Sequence, residues 1–161
     1  MKYIQIREDI AEAIGYPKTG KADIINALGY ANSYTAYLEV ASRTTGHKFA
    51  DISERIFTTK QRILYNVPAD YSDGLPVQYT STELNGEACF QQIVDSDQTF
   101  DVVFVDPYHS FEASKIDLEF GYKLLKPGGM LVVHDCNPPD QDLTSPDYQQ
   151  GAWLGQTYLA F

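Results

Sequence analysis

The sequence predicts a three-layer α/β/α fold, in which helices cover both faces of a doubly wound, mostly parallel sheet of about five strands. Segments with strand composition alternate with segments of helical periodicity along the chain. The strands at 101–106 and 130–135 are nearly continuous apolar runs, which is typical of strands buried on both faces. Such sheets bind ligands at the carboxyl ends of their strands, so the polar residues that follow the strands are the candidate site.

The first half of the chain is predicted to contain three helices and three strands. A helix over 8–16 has Glu8 and Asp9 in its first turn, where the helix dipole favours carboxylates, and YPKTG ends it. Apolar residues at helical spacing predict a second helix over 21–34. The other predicted elements are a strand at 35–40, a helix at 49–56, a strand at 61–67, a loop at 68–76 and a strand at 77–81.

The second half continues the same alternation. A helix is predicted over 111–125, because Ser110 can cap it and Ile116, Phe120 and Leu124 share one face. The sequence KPGG ends this helix, since glycine commonly follows the last helical turn. The other predicted elements are a helix at 86–95, the two apolar strands and a last helix at 152–161.

Length and charge set limits on the class of protein. The 161 residues predict one domain at 21–161 preceded by a helical lead-in at 1–20. A formal net charge of −10 repels a phosphate backbone, so nucleic acid is excluded as the expected partner. The sequence contains no membrane-spanning apolar run and does not start with a signal peptide. Cys89 and Cys136 do not form a disulfide framework, which favours a cytoplasmic protein with reduced thiols.

Two blocks of sequence carry a family resemblance. Residues 100–138 contain an apolar strand that ends in Asp, a His-containing turn, a helix, LKPGG and a strand that ends in HD. Upstream, Ile25-Asn26 leads into YLEV at 37–40. Over roughly 21–161 the chain resembles the class I S-adenosylmethionine-dependent methyltransferases, in the subgroup often associated with O-methylation of sugars or small molecules. The resemblance implies a Rossmann-like fold, S-adenosyl-L-methionine as cofactor and a small hydroxylated acceptor.

The sequence departs from the family pattern at four places. Ala41 stands where the first glycine of the cofactor loop is expected, and the next glycine, Gly46, comes one residue late. Asn66 replaces the acid that normally follows the second strand. The sequence ends at Phe161, where the family continues with two more strands, so we expect an incomplete sheet with an exposed edge and possible homodimerisation.

The resemblance also implies which residues hold the cofactor. Glu39, the acid near the end of the first strand, corresponds to the residue that contacts the cofactor, although a carboxylate at a strand end can also be a simple cap. The loop that follows can either shape the cofactor site or simply connect a strand to a helix. The predicted cofactor-binding residues are Glu39, Ala41, Gly46, Asn66, Ser81 and Asp106.

The predicted acceptor side of the site consists of Asp106, His109 and Asp135. His109 is the candidate general base, because methyl transfer to a hydroxyl requires that hydroxyl to lose its proton, and imidazole titrates near neutrality. Asp106 and Asp135 could together bind Mg²⁺, which prefers oxygen ligands. The alternatives are that His109 stabilises its own turn and that Asp106 caps the helix that follows it.

Two functions of different classes therefore remain open. The first is an S-adenosylmethionine-dependent O-methyltransferase, and the second is an inactive methyltransferase-like scaffold whose cofactor loop has degenerated. A nucleotide-binding enzyme is not favoured, because the sequence has neither a Gly-x-Gly-x-x-Gly fingerprint nor a phosphate-binding Gly-Lys-Ser/Thr loop.

Overall fold

A parallel sheet of five strands with helices on both faces forms the computed structural model, which describes residues 20–43, 47–150 and 153–161. The helices are α1 (Lys21–Asn32), α2 (His47–Asp51), α3 (Glu87–Val94) and α4 (Phe111–Lys123), and 3-10 turns span Gln141–Leu143 and Thr157–Leu159. The strands are β1 (Ala36–Ser42), β2 (Thr59–Tyr65), β3 (Tyr79–Thr80), β4 (Phe100–Asp106) and β5 (Leu125–Val133).

The strand order β3-β2-β1-β4-β5 confirms the predicted doubly wound sheet. Every described pairing is parallel, and β1 is buried at each of its seven residues. The chain runs outwards from β1 in one direction to β3 and then returns to start β4 on the other side of β1. The carboxyl ends of β1 and β4 are therefore the topological switch point, where sheets of this kind bind their ligands.

Two apolar layers hold the helices on the sheet. On one face, Ile25 of α1, Phe49 of α2 and Ile52 after α2 form a cluster with Tyr37 and Phe104. On the other face, α3 and the end of α4 pack on the alternate side chains of the strands, which form a second cluster. Because each central strand contacts helices on both faces, its sequence must be apolar throughout, which explains the continuous apolar runs.

Several predicted boundaries shift in the structure. The predicted helix at 49–56 is shorter, ending at Asp51, and the chain then turns through a hydrogen bond from the Phe57 amide to the Ser53 carbonyl. The last strand begins earlier than predicted, because Leu125 already pairs with Phe100 before a register shift. The helix α4 ends at Lys123, so KPGG at 126–129 lies within β5 and does not cap that helix, contrary to the prediction.

The predicted helix at 152–161 is wrong for the described residues 153–161, which contain a single 3-10 turn at Thr157–Leu159. Gly155 has φ 53°, in the left-handed region, and a helix cannot continue through that conformation. The predicted helix at 8–16 and Gly46 lie outside the described residues. None of the helices in the described part of the chain combines the length and apolar character that a membrane span requires.

Candidate active site

The candidate active site lies at the carboxyl ends of β1, β4 and β5. Asp106 is the last residue of β4 and pairs with Ala41 of β1. On the other side of β4, the His134 amide donates to the Val105 carbonyl, which extends the pairing one residue beyond β5. Asp135 then adopts φ 53°, a left-handed conformation that ends the extended run. Two strands and one sharp backbone turn thus bring these polar residues to the same rim.

An imidazole bridges the two carboxylates of this rim. His134 Nδ1 lies 3.2 Å from Asp106 Oδ1 and 3.0 Å from Asp135 Oδ2. On the other side, Lys21 Nζ of α1 lies 3.9 Å from Asp106 Oδ2. One potential ligand atom from each of Asp106, His134 and Asp135 falls within 4.8 Å of the others, so these three residues could hold a metal ion. The two carboxylates were predicted from the sequence as ligands of a metal ion, but His134 was not included.

The interactions within the cluster favour the charged forms of His134 and Asp135. Burial disfavours the imidazolium of His134, but hydrogen bonds to Asp106 and Asp135 outweigh it and raise the pKa of His134 to about 9. Burial would also raise the pKa of Asp135, yet hydrogen bonds from His109 and His134 hold it well below its usual range. At neutral pH the rim therefore carries an ionised carboxylate at Asp135 beside a protonated His134.

His109 joins this cluster from the turn after β4. Its Nε2 lies 3.3 Å from Asp135 Oδ2, and its Nδ1 lies 3.1 Å from the Thr157 hydroxyl. The ring of Trp153 packs edge-on against the imidazole, with centroids 5.6 Å apart. The Gln156 amide donates to the His109 carbonyl at 2.7 Å. Both the backbone and the ring of His109 are therefore held by residues distant in sequence.

A buried hydrogen-bond chain supports the same turn from below. The Tyr65 hydroxyl accepts from the Tyr108 amide and donates to Asp117, with both distances 2.5 Å. Asp117 also accepts from the Gly86 amide at 3.0 Å. Burial raises the pKa of Asp117 to about 7, against the opposing effect of these two hydrogen bonds. This chain ties β2, α3 and α4 to the residue that precedes His109.

Glu39 lies inside β1, two residues before the position that pairs with Asp106 at the rim. It is fully buried, and its Oε2 accepts from the Tyr37 hydroxyl at 2.9 Å. Burial raises its pKa to about 7, although the Tyr37 hydrogen bond and the charge of Arg62 oppose the shift. Arg62 lies opposite Glu39 in the sheet but forms its two 2.8 Å hydrogen bonds with Asp73. Glu39 Oε1 has no hydrogen-bond partner among the described residues.

The other predicted cofactor residues lie in β1 or follow β2 and β3. Ala41 is within β1, and its side chain packs against Leu64 and Val67 instead of standing in a loop. Asn66 follows β2 with φ 55° and donates weakly to Ser42 Oγ at 3.5 Å. Ser81 follows β3, where its hydroxyl accepts from the amide of Glu83.

The structure therefore brings Asp106, His109 and Asp135 into one network, with Glu39 on the neighbouring strand. Asn66 and Ser81 follow β2 and β3, which lie on the other side of β1 from β4. Sequence reasoning missed Lys21 and the bridging position of His134, although the HD pair was a signal for the latter. It also missed Thr157, for which the sequence offers no signal, because its contact depends on the chain folding back across 48 residues.

Comparisons with known proteins agree with this architecture. A family model described as "Methyltransferase domain" matches residues 34–136, which include β1 to β5 and the rim residues up to Asp135. No curated protein sequence matches the chain significantly.

Among solved structures, the MycE methyltransferase of the mycinamycin biosynthetic pathway is similar in fold. One structure, a complex with Mg, SAH and mycinamycin VI, superposes with a TM-score of 0.52 at 17% identity. A second, with Mg and SAH, gives a TM-score of 0.51 at 17% identity. Each match covers 80% of this chain but 36% of the MycE chain, so this chain spans about a third of the protein it resembles.

Proposed function

This chain belongs to the methyltransferase domain family, and we propose that it transfers a methyl group from S-adenosyl-L-methionine to a hydroxyl of a small molecule, for example a sugar. The observation that carries the proposal is the meeting of Asp106, His109, His134 and Asp135 at the switch point between β1 and β4. A crevice in this place is where the fold binds ligands, and these groups can take up and stabilise a proton.

The orphaned atom of Glu39 supports a cofactor with a cationic group. A buried carboxylate oxygen without a hydrogen-bond partner is costly, so its neighbourhood is suited to a donor that arrives with a ligand. The amino group of S-adenosylmethionine is such a donor. When bound, the cofactor supplies an electrophilic methyl group on a sulfonium. In the proposal Glu39 and Asp106 hold it, with Ala41, Gly46, Asn66 and Ser81 along the rest of its length.

On the acceptor side, His109 and Asp135 are proposed to remove the proton of the acceptor hydroxyl. His109 Nε2 and Asp135 Oδ2 lie 3.3 Å apart, so an acceptor hydroxyl bound beside them could pass its proton to the imidazole, and the carboxylate would stabilise the resulting charge. Alignment of the hydroxyl with the methyl group would supply much of the remaining rate.

We include a divalent cation in the proposal as a second means of holding the acceptor. Asp106 and Asp135 offer the oxygen ligands that Mg²⁺ prefers, and His134 could add a nitrogen within the same 4.8 Å group once it has lost its proton. A cation here would supply a positive charge that orients vicinal hydroxyls. That MycE was crystallised with Mg and SAH is consistent with this assignment.

The proposal also covers partners and location. The net charge of −10 favours a small-molecule acceptor over nucleic acid, and the reduced cysteines favour the cytoplasm. A homodimer is included because, among the described residues, β5 pairs with β4 and with no further strand on its outer edge.

The second candidate function is an inactive methyltransferase-like scaffold. The position of Ala41 favours it, because its methyl group is buried against Leu64 and Val67 where the family places a glycine. In this case the sheet would persist without binding the cofactor.

Calorimetric titration of S-adenosylhomocysteine separates the two functions. We expect micromolar binding to the wild-type chain and much weaker binding to Glu39→Gln. Glu119→Gln, at an exposed glutamate on α4, is the matched control and should bind like wild type. A screen of hydroxylated acceptors with labelled S-adenosylmethionine would follow. If the wild-type chain does not bind S-adenosylhomocysteine, the enzyme proposal fails and the scaffold remains.

A further inference from the structure

The segment after the Pro/Asp-rich loop folds back onto His109, and it lies beyond the residues that the family model matches. Thr157 is fully buried in this segment, and its hydroxyl lies 3.1 Å from His109 Nδ1. The same hydroxyl lies 3.0 Å from that of Ser114, which is also fully buried. A threonine so deeply buried cannot reach a substrate, so its hydroxyl acts on the protein itself.

The hydrogen-bond inventory of this group fixes the direction of each bond. The Ser114 hydroxyl has a single proton, which it donates to the Tyr108 carbonyl at 3.4 Å. The Thr157 hydroxyl therefore donates to Ser114, and its oxygen accepts from the Nδ1–H group of His109. Nε2, which lies 3.3 Å from Asp135 Oδ2, is then the nitrogen of His109 that takes up or releases a proton.

The backbone of the segment reinforces the same placement. Gly155 packs so closely on His109 that an added Cβ would overlap the His109 carbonyl oxygen. The next residue, Gln156, donates its amide to that carbonyl. The segment therefore holds the main chain of His109 directly and the ring through Thr157.

We propose that Thr157, supported by Ser114, is a positioning residue that occupies Nδ1 of His109 and turns Nε2 towards Asp135 and the acceptor. The inference rests on the proposed function for its catalytic meaning, since it identifies Nε2 as the nitrogen that meets the acceptor proton. It assigns a role in the site to a part of the chain outside the family match.

The test is the ring nitrogen spectrum of His109 in the ligand-free full chain, by long-range ¹H–¹⁵N correlation at one alkaline pH. Thr157→Val keeps the shape and removes the hydroxyl, whereas Thr157→Ser keeps the hydroxyl. We expect the Nδ1 resonance to move downfield in Thr157→Val and to stay near its wild-type position in Thr157→Ser. Thr80→Val, at an exposed site on β3, is the matched control and should leave the resonance unchanged.

An unchanged Nδ1 resonance in Thr157→Val, or equal shifts in the Val and Ser variants, would overturn the proposal. If Thr157→Val does not fold, Ser114→Ala provides a second test, because loss of the hydroxyl that accepts from Thr157 should move the same resonance by a smaller amount. In an acceptor assay we expect kcat to fall in Thr157→Val with KM for the cofactor unchanged, and Thr157→Ser to recover it. A wild-type chain without methyl transfer would refute the proposed function, while the nitrogen spectrum would still decide the positioning role.

Discussion

Replacing Asp117 by asparagine should change how the stability of the protein depends on pH. Asp117 is fully buried, and burial raises its pKa from 3.8 to about 7 in the folded chain. The folded state therefore favours the protonated carboxyl, and ionisation of the unfolded chain opposes folding. The sign follows: the contribution of this group is most favourable below pH 3.8 and is lost as the pH rises through about 7.

The magnitude follows from the shift. About three pKa units correspond to roughly 4 kcal/mol of lost stability once both states are ionised. About 2.5 kcal/mol of this loss falls between pH 5 and pH 7.5 by the same linkage relation. Asparagine cannot ionise, so the stability of the variant should not show this part of the decrease with pH. At pH 5 it should still be less stable than wild type by about 1–2 kcal/mol, because it cannot satisfy Tyr65 and Gly86 together.

Urea denaturation of both proteins at pH 5 and pH 7.5 measures this effect. The free energy of unfolding of wild type, relative to that of Asp117→Asn, should fall by about 2.5 kcal/mol from pH 5 to pH 7.5. The raised pKa values of Glu39 and His134 also lower stability as the pH rises, but they are common to both proteins and cancel. Parallel pH dependences of the two proteins would refute the reasoning.

Three further predictions concern an ion pair, the cofactor site and the His109 turn. Asp73→Ala should destabilise the protein by about 3–5 kcal/mol in urea, because Arg62 is fully buried, and Arg62→Met in the same chain should recover part of the loss. Glu39→Gln should weaken binding of S-adenosylhomocysteine by about 1.5–3 kcal/mol. The affinity of wild type should rise as the pH increases through about 7 and Glu39 ionises, and the variant should lack this rise. The same pH dependence of affinity in both proteins, measured by calorimetry, would contradict this prediction. Gly155→Ala should cost about 1–3 kcal/mol in thermal unfolding and shift the His109 resonances, and an unperturbed His109 would show that the segment packs loosely.

The parts of the fold that sequence reasoning predicted are those set by local pattern. The apolar runs before Asp106 and before His134 can be buried in a sheet covered on both faces and in few other structures, so the strands and their parallel arrangement followed from them. Because parallel strands end at one edge, the proximity of Asp106 and Asp135 followed as well, and the structure bears out that proximity.

The parts that sequence reasoning missed depend on single backbone angles and on distant contacts. Asp135 has a positive φ that turns its carboxylate towards His109 and His134. A positive φ at a non-glycine residue is uncommon and is difficult to predict from sequence. The residues after Trp153 were predicted to belong to a helix over 152–161. Their conformation is set instead by Gly155 and by contacts with His109, which no periodicity reveals.

The pairing of β1 with β4 has a consequence for the order in which the protein folds. Residues 37 and 102 meet in this pairing, so a loop of about 65 residues must close before Ala41 and Asp106 lie side by side. Closure of so long a loop is entropically costly, and non-local parallel pairing is slow. We therefore expect β1 and β2 to associate first and the crevice to be among the last features to form. A ligand that binds where β1 and β4 end would stabilise only the fully folded protein. The concentration of that ligand in the cell would therefore affect how long the protein persists.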